Sequence, residues 1–423
     1  MKILVCPHDM NMGGSQLNAI ELAAEVKKLG HDVVIFGQPG SLTQRVADLG
    51  LEFIQSPRVR FRPTPAVTRT LREIIEERGI DIVHGYEWPP ALEATLAVGI
   101  KRRARAVSTV LSMSVAPFIP KHVPLMVGTE QIASMERDNN RAMVGLMEPP
   151  VDTELNSPGI DVGTDSFAVQ WGIDPALPVI SIISRLAHEM KLEGILAAIS
   201  VIERRNLAQP VQLLIAGDGP ARQEVHEAAE AANRRMGAKR VILTGQLDDP
   251  RPAYLIADVV LGMGGSALRA MAFQKPLIVQ GENGFWQTLS AESLHTFLWQ
   301  GWYGVGVGIG AKPGEERLFE ELSGLLNDRE RRLELGKFSR VTLVARFSLQ
   351  AAAERQVQFY REALTQETTV TGYMRSMGSS LLAFVAYNLR RLAERARGRL
   401  RRDDFNASPV VSLNTTSESE VAS

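Results

Sequence analysis

Short runs of consecutive apolar residues alternate along this chain with stretches whose apolar positions recur every three to four residues. Through the first 130 residues the runs at 3–6, 33–36, 80–83, 106–110 and 125–127 predict buried parallel strands. Between two of them Leu17, Ile20, Ala24 and Leu29 mark one helical face, closed by Gly30 where a left-handed C-cap belongs. The alternation lapses over Glu148-Pro149-Pro150-Val151-Asp152 and the polar stretch 156–163. It then restarts, with apolar runs at 179–183, 212–216, 241–243, 259–261 and 277–279 and helical periods at 192–202, 222–235 and 267–273. Strand–helix alternation in two blocks predicts two Rossmann-like, doubly wound α/β domains, residues 1–160 and 175–345, joined near 150–175 and facing a cleft. Beyond Lys312 the periodicity is helical only: 315–326, 329–345, 349–364 and a further helix over 371–402.

Three strand-to-helix turns carry candidate chemistry. Met10 to Ser15 contains Gly13-Gly14, which lets backbone approach a ligand at a helix N-terminus; a plain turn explains the same pair equally well. Ser184-Arg185-Leu186 runs to Lys191, and both cations stand where they reach a diphosphate, although two solvated surface cations fit the spacing too. Gly262-Met263-Gly264-Gly265-Ser266 leads a buried strand into an apolar helix, the order expected of an anion nest or of tight helix–sheet packing.

Composition narrows the class. The 423 residues hold 47 Lys+Arg against 48 Asp+Glu, a net charge of -1, so no basic globule for nucleic acid is expected. Cys6 is the single cysteine, which excludes an internal disulfide and a cysteine-rich zinc site. The N-terminal apolar run is too short for an export signal, and no stretch reaches the roughly 18–20 apolar residues of a membrane span. A cytoplasmic protein is expected, peripheral at most on the inner face of the membrane.

Taken in order, these blocks resemble the retaining glycosyltransferases of family 4, which have the GT-B fold. Gly13-Gly14, Leu22-Ala23-Ala24 and Gly30-His31-Asp32-Val33 are similar to the family's opening, and Asp81-Ile82-Val83-His84 to its next strand. Ser184-Arg185-Leu186 with Lys191, Leu214 to Pro220, Thr244-Gly245-Gln246-Leu247, Ala257-Asp258-Val259, Ala270-Met271-Ala272 and Lys275-Pro276 resemble its donor-domain blocks. Arg346-Phe347-Ser348 through Phe359-Tyr360 looks like its closing helix, 346–365, which returns to the N-terminal domain.

The resemblance implies transfer of a sugar from a UDP- or GDP-linked donor to a glycan, lipid or small-molecule acceptor, with retention, without cofactor and without metal. Arg185 and Lys191 would then stabilise the leaving diphosphate, helped by the amides of Gly264, Gly265 and Ser266. Gly245, Gln246 and Leu247 would meet the base, and Gly13-Gly14 would close over the phosphates. Where the family has two glutamates eight apart, Leu261 and Arg269 stand, and a guanidinium only donates hydrogen bonds. Arg269 is accordingly expected to face a phosphate or an acidic sugar. Leu111 replaces the family's usual His, and Pro149-Pro150 its Asn-Gly. A catalytically silent GT-B protein that binds a nucleotide or a partner glycosyltransferase is the alternative. An NAD-dependent oxidoreductase lacks its glycine fingerprint here.

The remaining expectations are local. His84, Glu87 and Trp88 are candidate acceptor or sugar contacts, with core packing as the competing reading. Gly301 to Gly308 is expected to be a flexible loop. Tyr373, Met377, Leu381, Val385, Leu389 and Leu392 form one stripe leading into Arg390, Arg391, Arg395, Arg397, Arg399, Arg401 and Arg402. That suits an anionic membrane surface or packing on protein. The polar tail 403–423 is expected to be disordered.

Overall fold

The protein is described by a computed structural model covering residues 1–59, 61–100, 103–205, 207–306 and 314–398. The tail 403–423, the last arginines of 371–402 and the end of the Gly301–Gly308 segment lie outside the described residues. The chain divides into two compact units, Met1–Glu148 with the chain from Ala352 onward, and Pro149–Ala351.

The first unit holds β1 (Lys2–Cys6), α1 (Gly14–Lys28), β2 (Asp32–Gly37), α2 (Thr43–Asp48), β3 (Glu52–Gln55) and α3 (Pro65–Arg78). β4 (Ile82–Tyr86), α4 (Trp88–Val98), β5 (Arg105–Val110), β6 (Leu125–Val127), α5 (Glu130–Asp138) and β7 (Val144–Leu146) follow. Its seven strands run β3-β2-β1-β4-β5-β6-β7, every pairing parallel. β1, β4 and β5 are almost wholly buried; β1 reads as an apolar run, whereas β4 buries His84 and β5 buries Ser108 and Thr109.

The second unit contains α6 (Thr164–Trp171), β8 (Val179–Ile183), α7 (Glu193–Arg204), β9 (Gln212–Ala216), α8 (Arg222–Met236) and β10 (Val241–Gly245). Next come α9 (Arg251–Leu255), β11 (Val259–Gly262), α10 (Gly265–Ala272), β12 (Leu277–Gln280), β13 (Trp286–Thr288), α11 (Leu294–Gln300), α12 (Gly314–Leu326) and α13 (Arg329–Phe347). Strand order is β10-β9-β8-β11-β12-β13, parallel except for the antiparallel last strand. On one face α7 buries Ile195, Ile199 and Ile202 with Val225 of α8 and Leu318 and Leu322 of α12. On the other, Leu268 and Met271 of α10 pack with Leu343 and Phe347 of α13. The expected linker is not bare: α6 lies within it, and Phe167 packs on Val179, Leu214 and Ile242.

α14 (Leu349–Thr365) carries the chain back into the first unit, and α15 (Val370–Ala396) follows it there. Phe359 of α14 fills the space over Gly145 in β7, where a Cβ would stand 2.7 Å from its ring.

Candidate active site

In each sheet the strand order reverses beside the first strand: β1 lies between β2 and β4, and β8 between β9 and β11. Loops leaving the carboxyl ends of strands at such a point diverge, and ligands of open α/β sheets bind in the crevice they leave. Gly13 and Gly14 follow β1, Arg185 and Lys191 follow β8 and Gly264 follows β11, whereas Gly245 to Leu247 lie at the end of the edge strand β10 and His84, Trp88 and Arg269 lie within elements.

In the second unit the loop after β8 is tied down by backbone. The Ser184 amide donates to Ala216 O at 3.0 Å, Leu186 to Asp218 O at 3.0 Å and Ala221 to Leu186 O at 2.9 Å. Contact is so close that a Cβ on Gly217 would lie 1.9 Å from Ser184 O, and one on Gly219 2.4 Å from Leu186 O. The turn before α7 is irregular, with Met190 at φ +64°. Buried Gln280, ending β12, donates to the carbonyls of Lys191 at 3.1 Å and Met190 at 3.4 Å, which fixes that turn.

Two cations emerge from this scaffold unspent. The Lys191 amine has no carboxylate or hydrogen-bond partner among the described residues, and burial pulls its pKa down to about 8. Exposed Arg185 also has no carboxylate partner there. His188, between them, is paired to Glu224 at 3.1 Å instead.

The turn from β11 into α10 differs from expectation. The Gly264 amide donates to Trp302 O at 2.7 Å, and that of Ser266 to Met263 O at 3.3 Å. The expected three-amide nest therefore reduces to Gly265, whose amide has no acceptor among the described residues. Around Gly264 and Gly265 no described residue lies within 4 Å of where a Cβ would be. Half-buried Arg269 sits on the same helix with no carboxylate partner among the described residues, its charge felt by Tyr254. Leu261 lies inside β11 at 0% exposure; it is a core residue.

Gly245, at φ +70°, gives its carbonyl to the Gly217 amide at 2.8 Å and the Thr244 hydroxyl at 2.8 Å. Gln246 is exposed, while Leu247 packs on the Phe167 cluster. A cavity of about 540 Å³ between α8 and β10 touches Leu186, Gly217, Thr244 and Gly245; neither Arg185 nor Lys191 lines it.

Residues 301–306 are anchored rather than loose. Trp302 and Tyr303 are buried, Gly304 packs against the Phe285 ring, and the Tyr303 hydroxyl donates to Glu282 at 2.5 Å. Glu193, opening α7, accepts the amides of Asn283 at 3.1 Å and Gly284 at 2.7 Å. Sequence reasoning missed Gln280 and Glu193. A polar residue ending a buried apolar strand was the available signal for Gln280.

In the first unit Gly13 and Gly14 open α1, whose N-cap Gly13 makes no side-chain cap bond, and no described residue lies within 4 Å of a Cβ on Gly14. Glu87 stands beneath this turn. It is 8% exposed, and its two oxygens accept from the Ser15 hydroxyl at 3.0 Å, the Leu111 amide at 3.0 Å and the Ser112 hydroxyl at 2.8 Å. Burial pushes its pKa up, those hydrogen bonds pull it back, and φ of +65° puts a non-glycine residue in the left-handed region. Glu87 is thus a brace for the glycine turn, not a free acceptor contact.

His84 and Trp88 also leave the contact list. His84 is fully buried, its Nδ1 meeting the Tyr360 hydroxyl at 2.6 Å and its Nε2 Thr109 Oγ1 at 2.7 Å. Desolvation lowers its pKa to about 3, so it stays neutral and holds α14. Trp88 packs edge-on against Phe118 at 5.2 Å and beside Phe384 and Tyr387 of α15 at 6.2 and 6.3 Å.

The chain was compared with solved structures. A glycosyltransferase from Rickettsia africae superposes with a TM-score of 0.67 at 15% identity, over 86% of this chain and 99% of that one. Anabaena HepE, solved with UDP-glucose, gives 0.66 at 13% identity, over 86% and 100%. The fold is GT-B. Each half of this GT-B chain also matches a family model: the glycosyl transferase 4-like domain over residues 13–138 and glycosyl transferases group 1 over 177–292. The 2-deoxystreptamine N-acetyl-D-glucosaminyltransferase of Streptomyces fradiae is 28% identical over 198 residues, 45% of this chain and 42% of that protein. D-inositol 3-phosphate glycosyltransferase of Corynebacterium urealyticum is 25% identical over 258 residues, 57% of each. The matches span about half the length of these curated relatives.

Proposed function

We propose that this GT-B protein is a glycosyltransferase that takes a sugar from a nucleoside-diphosphate donor, with Arg185 and Lys191 on the diphosphate. The observation that carries this reading is the pair of cations that have no carboxylate partner among the described residues, on a backbone-locked loop at the switch point of the second sheet. Desolvating a lysine without pairing it is costly, and an incoming phosphate removes that cost. The Gly265 amide and Arg269 lie on the helix leaving the neighbouring strand β11, and add donors for developing negative charge.

In this reaction the bond from the anomeric carbon to the β-phosphate oxygen breaks as the acceptor oxygen bonds to the same carbon. The acceptor proton passes to the leaving diphosphate. Retention, independence of metal and a UDP- or GDP-linked donor belong to the proposal, and the resemblance to family 4 supports them. UDP is the first nucleotide to test, because HepE was solved with UDP-glucose. A silent, nucleotide-binding form is the second reading, supported by Leu261 buried in the core and by Arg269.

A donor panel of UDP- and GDP-sugars separates the two. Release of nucleoside diphosphate that persists in EDTA and falls at least about a hundredfold in Lys191→Ala supports the transferase. Nucleotide binding without turnover on any donor supports the silent form.

A further inference from the structure

α15 has two apolar faces, and the first unit covers one. Tyr373 packs on His122 at 4.9 Å, Ser376 Oγ meets His122 Nδ1 at 3.0 Å, and Ser380 Oγ donates to Phe118 O. Phe384 and Tyr387 complete this face against Phe118, at 5.2 and 5.0 Å. At 100° per residue, Met374, Leu381, Leu382, Val385, Leu389 and Leu392 fall together on another face, about two-fifths of a turn round. These six side chains are 48–73% exposed. The stripe foreseen from Tyr373 to Leu392 is therefore divided: its first member is packed, and its last four face outward.

A contiguous row of large apolar side chains marks an interaction surface, whereas scattered ones do not. Its chemistry is set by its borders. On the helical projection Arg375 lies at one edge of the stripe and Arg395 at the other. From Val370 to Gly398 the sequence has five arginines against one carboxylate, Glu394. A coiled-coil partner would need a 4-3 seam sustained over three or four heptads; Leu382, Val385, Leu389, Leu392 and Ala396 keep that spacing for only about two, and the seam then meets Gly378 and Arg375. The face is instead a broad apolar band edged with arginine along a helix about 40 Å long. No helix of the described residues is long and apolar enough to cross a bilayer, so such a helix lies in the plane of the surface.

We propose that this face of α15 docks the protein on an anionic lipid surface, the leucines entering the acyl boundary and the arginines meeting lipid phosphates. The proposal stands apart from the transferase reading. Its test is sedimentation of the full chain with vesicles of phosphatidylcholine, alone or mixed with phosphatidylglycerol. Binding is expected to the mixed vesicles, to be weak on the neutral ones and to be released by salt. The combined Leu381→Ser, Leu382→Ser and Leu389→Ser variant should bind at least about tenfold more weakly with an unchanged melting transition, because these side chains are exposed. Arg375→Gln with Arg395→Gln should weaken binding about tenfold. Absence of binding to mixed vesicles, equal binding by the serine variant, or self-association through these leucines without lipid binding would each overturn it.

Discussion

Glu87 shows how much a single side chain does in the first unit. Its carboxyl links three loops, and its backbone sits at φ +65° and ψ 172°, a conformation open mainly to glycine. Glu87→Ala should cost about 2–4 kcal/mol, leaving the Leu111 amide and two hydroxyls unpaired. Glu87→Gly loses the same bonds but relieves the backbone, so it should be about 1 kcal/mol more stable than the alanine variant in urea unfolding. Arg62 and Glu93 make a comparable pair deeper in this unit: Glu93 is 1% exposed, bonded to Arg62 and to the Thr64 amide at 2.8 Å. Arg62→Met should cost about 3 kcal/mol at neutral pH by stranding a buried carboxylate. Burial already raises the pKa of Glu93. A raised folded pKa makes stability greatest at low pH and lost as pH rises through it, so part of the loss should be recovered on acidification toward pH 5. Unfolding curves at both pH values measure this. Neither brace was legible beforehand, since partners 31 or 72 positions apart leave no spacing signal.

Among the elements, most of the buried parallel strands were located because an apolar run needs no knowledge of its neighbours; the run expected at 80–83 is β4 at Ile82–Tyr86, displaced because His84 and Gly85 interrupt the apolar pattern. β3, β7 and β13 escaped notice for separate reasons. β3 is a half-exposed edge strand, β7 contains Gly145 whose missing side chain is replaced by Phe359 from α14, and β13 is a three-residue antiparallel return. The anchored segment 301–306 was unreadable because its glycines serve contacts made elsewhere in the chain. Gly217 tests the corresponding claim for the cation loop. Gly217→Ala forces the loop away from Ser184, so UDP affinity should fall at least about tenfold by calorimetry. Gly14→Ala, with open space around it, should leave the fold intact.

For the molecule as a whole, the two-block sequence pattern and the two sheets agree, and both sheets place their functional loops at the point of strand reversal. Arg185, Lys191 and Gly265 are the groups that the proposed function places on the diphosphate. His84, Glu87 and Trp88 instead hold the first unit together, which is why lone polar residues at strand ends are weak guides to substrate.

The central claim is that Lys191 waits for a phosphate, and its titration offers the sharpest test. An amine near pKa 8 is charged at pH 7 and mostly neutral at pH 9.5, whereas a phosphate with a second pKa of about 6 is already largely ionised at pH 7 and gains little charge by pH 9.5. Only the charged amine attracts the diphosphate, so affinity is lost as pH rises through 8. Calorimetric titration of UDP and GDP into the wild type and Lys191→Arg at these two pH values is the decisive measurement. The account predicts that one nucleotide binds the wild type about tenfold more weakly at pH 9.5, and that the arginine variant, always charged, binds with little dependence on pH. If neither nucleotide binds at pH 7, or if Lys191→Ala binds as well as the wild type, the account is wrong.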